Sequence, residues 1–185
     1  MRLSGRARAF TLIELMIVVA IVGLLAVLGG YAVRKYMATA KSAEARNALG
    51  QISKDAASAF EKESTNASLV ATGNSTSLIR ALCDTSTIVP PGVPAAQKYQ
   101  STTADWRAGS ATTGWSCLKF SMSAPQYYSY QYVALNTSAT AGVYQANAWG
   151  DLNGDGSTSH FWVNGSVQGG MLSTSPAILD SNPED

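Results

Sequence analysis

Residues 10–30 read FTLIELMIVVAIVGLLAVLGG. Between Ala9 and Val33 the chain has 25 residues and one charged side chain, that of Glu14. As a helix this stretch would be about 37 Å long, more than the roughly 30 Å hydrocarbon core of a bilayer. A helix inside a globular domain is seldom apolar on every face for so long. The stretch therefore predicts a membrane-spanning helix.

Charges on either side of the apolar stretch indicate its orientation. Residues 1–9 carry three arginines, whereas Arg34 and Lys35 follow the stretch. This difference favours a cytoplasmic N-terminus. The alternative is a secretory signal removed after the apolar run, for which residues 27–32 offer only a weak cleavage site. If the span is retained, the rest of the chain lies on the non-cytoplasmic side of the membrane.

A second helical pattern continues directly from the apolar stretch. Residues 36–62 contain no proline and are rich in Ala, Lys, Glu and Gln. Apolar residues recur there at spacings of three or four and share one face: Ala45, Leu49, Ile52, Ala56 and Phe60. We expect one helix of about fifty residues whose second half is amphipathic and lies on the remainder of its own chain.

Beyond residue 63 the composition shifts to Ser, Thr, Gly and Asn. Residues 77–83 fit a short helix, and the prolines of residues 90–94 mark a loop. Four later segments have residue patterns typical of strands, at residues 118–122, 128–133, 143–149 and 160–163. Asn164-Gly165 is a hairpin signal. The predicted fold class is α+β, with the amphipathic half-helix packed on about four antiparallel strands.

Composition narrows the function classes. Charged residues make up 14% of the 185 residues and the formal net charge is +1, against about 25% charged in typical soluble domains. A nucleic-acid binder would need a concentrated basic face, which this near balance of charges disfavours. No nucleic-acid partner is therefore predicted. One histidine and two cysteines leave little material for zinc or metal-hydrolase chemistry.

The N-terminal residues carry a resemblance to a known family. Arg6-Ala7-Arg8-Ala9, followed by the residue 10–30 sequence quoted above, resembles the N-terminus of a type IV prepilin. Major pilins, minor pilins and type II secretion pseudopilins share this signature. The resemblance implies that a prepilin peptidase cuts between Ala9 and Phe10 on the cytoplasmic side and that the new Phe10 amine is N-methylated. The family usually has Gly before the cut, where Ala9 stands here.

The resemblance divides the chain into four parts. They are a leader (1–9), a transmembrane or fibre-core half-helix (10–31), an amphipathic half-helix (32–63) and a globular head (64–185). The family commonly has a helix-kinking proline where Tyr31 stands. The two glycines before it, Gly29 and Gly30, favour local flexibility of the helix without a proline, since each lowers helix stability by about 1 kcal/mol relative to alanine.

Glu14 falls on the acidic position of the family. A carboxylate within a membrane span is costly and usually paired, yet residues 9–33 contain no Lys or Arg. Cleavage would create a partner, the Phe10 ammonium. The resemblance implies an intermolecular pair of Phe10 with Glu14 that sets the register of stacked subunits. The alternative is that Glu14 merely sits at the membrane interface.

The implied function is that of a structural subunit of a type IV pilus or related filament, not an enzyme. Minor pilin and type II secretion pseudopilin are alternatives, as is a membrane-tethered adhesion or binding domain that never polymerises. The implied partners are copies of itself, other pilins, the prepilin peptidase and an inner-membrane assembly platform. The implied location is the inner membrane as a single-pass precursor, then a periplasm-spanning or cell-surface filament.

Two further sites are predicted in the head. Cys83 and Cys117, the only cysteines, would both lie outside the cytoplasm, which favours a disulfide over two separately buried thiols. The segment from Asp151 to Ser157 begins like a calcium loop, with oxygen ligands at alternate positions. The predicted calcium ligands are Asp151, Asn153, Asp155 and Ser157.

Other features count against calcium. Position twelve of such a loop would be Trp162, so the bidentate glutamate is missing, and the flanks read as strands rather than helices. A plain Asx-rich hairpin turn is the alternative. Some type II secretion pseudopilins, which this loop resembles, bind calcium near the C-terminus. His160 has no second histidine and no nucleophile in register, so it is interpreted as a strand residue.

Overall fold

The computed structural model describes residues 10–62 and 80–183. The chain divides into two compact units, Met1–Met37 and Ala38–Asp185; the second is called the head below. The elements are α1 (Leu12–Glu61), a single 3₁₀ turn (Asp105–Arg107), α2 (Gly114–Leu118), β1 (Tyr128–Leu135), β2 (Ala141–Gly150), β3 (Ser159–Gln168), β4 (Met171–Thr174) and β5 (Leu179–Ser181). The fold is α+β, as the sequence predicts.

Helix α1 is continuous over 50 residues and runs through Gly29 and Gly30. Its second half buries the face that the three- and four-residue spacing predicts. All five predicted positions, Ala45, Leu49, Ile52, Ala56 and Phe60, are at most 2% exposed. Each large apolar side chain removed from water in this way contributes about 1.5–3 kcal/mol to stability. The prediction of one long helix with an amphipathic second half is therefore confirmed.

The five strands form one antiparallel sheet in the order β1-β2-β3-β4, and β5 pairs with the opposite end of β3 from β4. Alternate residues of the strands face the helix and form the core with it. Aromatic side chains dominate this inner face: Tyr128, Tyr130, Tyr132, Tyr144 and Phe161. The alternating tyrosines of β1 thus lie where a period of two places them.

The free edge of β1 is covered by irregular chain rather than by another strand. Val89 exchanges two backbone hydrogen bonds with Tyr130, at 3.0 and 2.8 Å. Ser86 donates its N–H to the Tyr132 carbonyl at 2.8 Å, and its hydroxyl accepts the Tyr132 N–H at 2.9 Å. These contacts satisfy the backbone groups that an edge strand leaves open.

The prediction of a strand at residues 118–122 is wrong. The helix α2 ends at Leu118, and Lys119 follows in the left-handed region with φ 61°, where its N–H caps the Trp115 carbonyl. Left-handed backbone cannot continue as a strand. Leu118 and Phe120 are buried from this helix end and the irregular chain after it, so burial produced an alternating pattern without a strand.

The hairpin predicted at Asn164-Gly165 is also wrong, because both residues lie inside β3. The turn lies instead at Gly169-Gly170, whose φ angles of 59° and 79° are both positive, as a two-residue hairpin of type I′ requires. Of the helix predicted at residues 77–83, residues 77–79 lie outside the described residues and residues 80–83 are not helical. Residues 90–94 are irregular, as predicted.

Glu44 connects α1 to the start of β1. Its Oε1 accepts the Tyr127 N–H at 2.8 Å and the Tyr130 hydroxyl at 3.3 Å. Burial raises the pKa of the Glu44 carboxyl above 4.5, although both hydrogen bonds and the Lys98 charge oppose the shift. Partial removal of the carboxylate from water therefore outweighs its hydrogen bonds.

Two glycines differ in the space that a side chain would find: Gly165 in the sheet is closely packed, whereas Gly50 in α1 is not. A Cβ on Gly165 would overlap the ring of buried Tyr144, whereas a Cβ on Gly50 in α1 would meet nothing within 4 Å. We expect Gly165→Ala to lower the free energy of unfolding by roughly 1–3 kcal/mol through overpacking. Gly50→Ala should raise it by up to about 1 kcal/mol through helix propensity. Urea unfolding of the two variants measures both; equal effects would contradict this packing.

The raised pKa of Glu44 predicts a pH effect with a definite sign. The folded state holds the Glu44 proton more tightly than the unfolded state, so stability from this group is present below pH 4.5 and is lost as pH rises through the folded-state pKa. Glu44→Gln keeps an acceptor for Tyr127 and removes the charge. We expect its free energy of unfolding, relative to the unmodified chain, to increase from acidic to neutral pH.

Urea titrations across that range measure this difference. Glu61→Gln, which removes an exposed carboxylate from the last residue of α1, controls for the charge change alone. A stability difference that stays constant with pH, or that decreases toward neutrality, would contradict the assignment.

Candidate functional site

The N-terminal half of α1 presents apolar side chains on all sides. Every residue from Phe10 to Tyr36 is exposed, with Phe10 at 82% and Leu12 at 77%. By length and composition the helix is able to cross a membrane. Water is an unfavourable environment for so much apolar surface, so this half requires lipid or other protein chains around it.

The first turn of α1 is organised by a reciprocal hydrogen-bond pair. The Thr11 hydroxyl accepts the Glu14 N–H at 3.3 Å, and Glu14 Oε2 accepts the Thr11 N–H at 2.8 Å. The Thr11 hydroxyl also donates to Glu14 Oε2 at 2.7 Å. This is a capping box, which satisfies two backbone donors that a helix start leaves unpaired. Sequence reasoning missed it, although the Thr-x-x-Glu spacing at residues 11–14 is its signal.

The capping box gives Glu14 a local role beside the predicted assembly role. Both hydrogen bonds that the Glu14 carboxylate accepts use Oε2, so Oε1 keeps its capacity to accept further donors. A carboxylate in the first turn is also favoured by the helix dipole. Phe10 precedes the box directly and is exposed. Ala9 and the rest of residues 1–9, with the predicted cleavage site, lie outside the described residues.

The structure joins Cys83 and Cys117 in a disulfide, which confirms the pairing predicted from the sequence. Their Cα atoms lie 5.9 Å apart and the two residues are separated by 34 positions. The bond ties the segment after residue 80 to α2. Beside it, Trp106 contacts the rings of Trp115 and Phe120 edge-on, with centroids 5.0 and 5.2 Å apart. The disulfide and the aromatic cluster together hold this part of the head, where the regular elements are only the 3₁₀ turn and α2.

The loop after β2 is closed by its own acidic and amide side chains. Asp151 is 5% exposed, and its two carboxylate oxygens accept the N–H groups of Gly154 at 2.6 Å and Gly156 at 3.1 Å. Asn153 Oδ1 accepts the Asp155 N–H at 2.9 Å, and Asp155 Oδ1 accepts the Ser157 N–H at 2.7 Å. These are Asx-turn contacts.

Calcium binding by this loop stays a prediction. The four proposed ligands lie close together in the chain, but the side-chain oxygens of three of them already accept hydrogen bonds from backbone N–H groups. Within residues 10–62 and 80–183 no group of three or more His, Cys, Asp or Glu side chains is arranged to hold a metal ion. An ion would have to share or displace the N–H groups that Asp151 now binds.

His160 lies in a stack of aromatic rings on the outer face of the sheet. Its ring is 5.0 Å from that of Trp149 and 4.6 Å from that of Trp162, centroid to centroid. Its Nε2 lies 2.9 Å from Oδ1 of Asn147. Partial burial lowers the pKa of His160. The residue is a strand residue, as the sequence predicts, and its neighbours are two indoles and an amide.

Comparison with known proteins adds one match. Residues 4–29 match the prokaryotic N-terminal methylation motif, which is the class III signal of type IV pilins and pseudopilins. Comparisons with curated proteins and with solved structures give no match. The chain therefore carries the N-terminal signal of a pilin-like or pseudopilin-like precursor, and the apolar helix suits a membrane-anchored form of it.

The loop geometry predicts how the head responds to calcium. Because the Asp151 carboxylate is already satisfied by two N–H groups, we expect added Ca²⁺ to leave the thermal unfolding midpoint unchanged. Asp151→Asn should lower the midpoint in chelator, since one oxygen acceptor is lost. A calcium-dependent rise in the midpoint that a chelator reverses, and that Asp155→Asn abolishes, would contradict the turn and support a calcium site.

Proposed function

We propose that this chain is a structural subunit of a type IV pilus or a related filament, made as a membrane-anchored prepilin. The observation that carries the proposal is the exposed apolar half of α1, most of which lies within the matched methylation motif at residues 4–29. Glu14 is the one carboxylate in this half. The other half of the same helix packs in the core of the head. No other described part of the chain displays so much apolar surface.

The first step is processing at the membrane. A prepilin peptidase cleaves between Ala9 and Phe10, and the Phe10 amine is methylated. Removal of residues 1–9 takes three of the thirteen basic residues and leaves ten against twelve acidic ones. The basic leader thus serves orientation, and the mature chain keeps its anchor.

The second step is assembly. Apolar helix halves leave the bilayer and pack side by side in the fibre core, while the heads form the surface. Because this exchange replaces lipid contact rather than water contact, its net driving force is smaller than the buried area suggests. Close packing and polar pairing between helices must therefore supply specificity.

Glu14 provides the polar pairing. Its Oε2 is held by Thr11 within the same chain, while Oε1 is available to an ammonium group. In a setting without water, opposite charges attract strongly and an unpaired carboxylate is costly. We expect the Phe10 amine of a neighbouring subunit to be the partner. One such pair per subunit sets the axial register of the stack.

The remaining roles follow from this assignment. The partners are copies of this chain, other pilins, the prepilin peptidase and an inner-membrane assembly platform. The chain is single-pass in the inner membrane before assembly and part of a periplasm-spanning or cell-surface filament afterwards. The role is structural rather than enzymatic. A major pilin differs from a minor pilin or a type II secretion pseudopilin in its abundance in purified fibres.

Two variants separate the intermolecular role of Glu14 from its capping role. Glu14→Gln removes the charge, and Thr11→Val removes the capping hydroxyl but keeps the carboxylate. We expect Glu14→Gln to be cleaved and retained in membranes but depleted at least about tenfold from sheared fibres, a loss of about 1.4 kcal/mol or more. Thr11→Val should be incorporated nearly normally.

Immunoblots of membrane and sheared-fibre fractions measure both variants. Normal incorporation of Glu14→Gln would overturn the charge pair. Equal loss of both variants would assign the effect to helix capping. An unmodified chain found only in membranes, never in fibres, would favour the tethered adhesion or binding domain.

A further inference from the structure

A groove of about 630 Å³ lies on the sheet face opposite the buried core. Strands β1, β2 and β3 form its floor, and the chain at and just after β4 forms one wall. Its volume is within the roughly 300–1,000 Å³ range of small-ligand sites. All of its lining residues belong to the head.

Strand register makes the groove floor amphipathic. One row of cross-strand neighbours runs Leu135, Val143, Ser166, Ser173 from β1 to β4. The row therefore has an aliphatic end on β1 and β2 and a hydroxyl end on β3 and β4. The aliphatic end is open, since Leu135 is 63% and Val143 45% exposed. In the described part of the chain, neither serine hydroxyl has a hydrogen-bond partner.

The next row adds a pair of amides beside Val133. Gln145 Nε2 donates to Asn164 Oδ1 at 3.0 Å across β2 and β3. This contact leaves Gln145 Oε1 as an acceptor and Asn164 Nδ2 as a donor. Two amides held edge to edge thus present an acceptor and a donor next to the two serine hydroxyls. Such an array suits a ligand that both donates and accepts at neighbouring positions.

The groove discriminates against two other kinds of occupant. No Asp, Glu, Lys, Arg or His is among its lining residues, so a phosphate, a carboxylate or an amine would lose hydration without gaining a counter-charge. An extended peptide would need a free strand edge to pair with. The strands of the floor are hydrogen-bonded to one another, and the Asn164 carbonyl accepts the Ser175 N–H at 2.8 Å.

We propose that this groove is a binding site for a neutral saccharide. A pyranose ring has an aliphatic C–H face and a rim of hydroxyls that donate and accept hydrogen bonds, and the floor offers the complement of each. The ring lies with its C–H face on Leu135 and Val143. Its hydroxyls meet the amide pair and Ser166. The head would then recognise an uncharged glycan surface, whether or not the chain polymerises.

Two matched substitutions test the site. Val143→Asp places a charge in the groove, whereas Leu179→Asp makes the same change at an equally exposed residue outside it, 46% against 45%. The full chain is held in a detergent without a sugar headgroup and titrated with maltotriose, cellotriose, lactose and diacetylchitobiose, with binding read by saturation-transfer NMR. We expect at least one of these saccharides to bind the unmodified chain and Leu179→Asp.

Val143→Asp should weaken that binding at least about tenfold, or 1.4 kcal/mol. Ser166→Val, which keeps a good strand former and removes one hydroxyl, should also weaken it and covers the case in which Val143→Asp fails to fold. Binding of none of the four saccharides, or equal binding by all variants, would overturn the proposal. Sedimentation showing self-association that only Val143→Asp abolishes would assign the groove to a second copy and also overturn it.

Discussion

The exposed apolar half of α1 is the constraint on which the rest of the molecule depends. From Phe10 to Tyr36 every side chain is exposed, and such a surface is stable only in lipid or against other helices. Within that half Glu14 is the one acidic residue. The capping box holds the carboxylate at the helix start, where a charge is least costly and where the amine of a processed chain would also lie.

The second half of the same helix is buried in the head. From residue 38 onward, small and aliphatic residues of α1 pack against a sheet whose inner face is rich in tyrosine. Polar contacts align the two layers, among them Glu44 with Tyr127 and the Ser53 hydroxyl with that of Tyr144 at 2.7 Å. One helix therefore carries both the exposed apolar segment and the residues that pack against the sheet of the head. The outer sheet face remains open for recognition.

Local patterns predicted the regular parts of this fold well. Apolar residues at spacings of three or four located α1 and its buried face, and alternation located β1, because burial there follows the backbone period. Prediction failed where one residue's role depends on a partner distant in sequence. Gly165 looks like a turn residue, yet it is a strand glycine over which the Tyr144 ring packs. Residues 118–122 alternate because a helix end and irregular chain bury Leu118 and Phe120. The groove could not be predicted, since only the register of four strands brings its rows together.

We expect the apolar half of α1 to be kept and to join the core of a filament. Mass spectrometry of the N-terminal peptide from sheared surface fibres tests it most directly. The expected result is a mature chain that begins with N-methylated Phe10 and retains the apolar segment. Fibre material with residues 1–9 intact, or a mature chain trimmed beyond Val27, would contradict it.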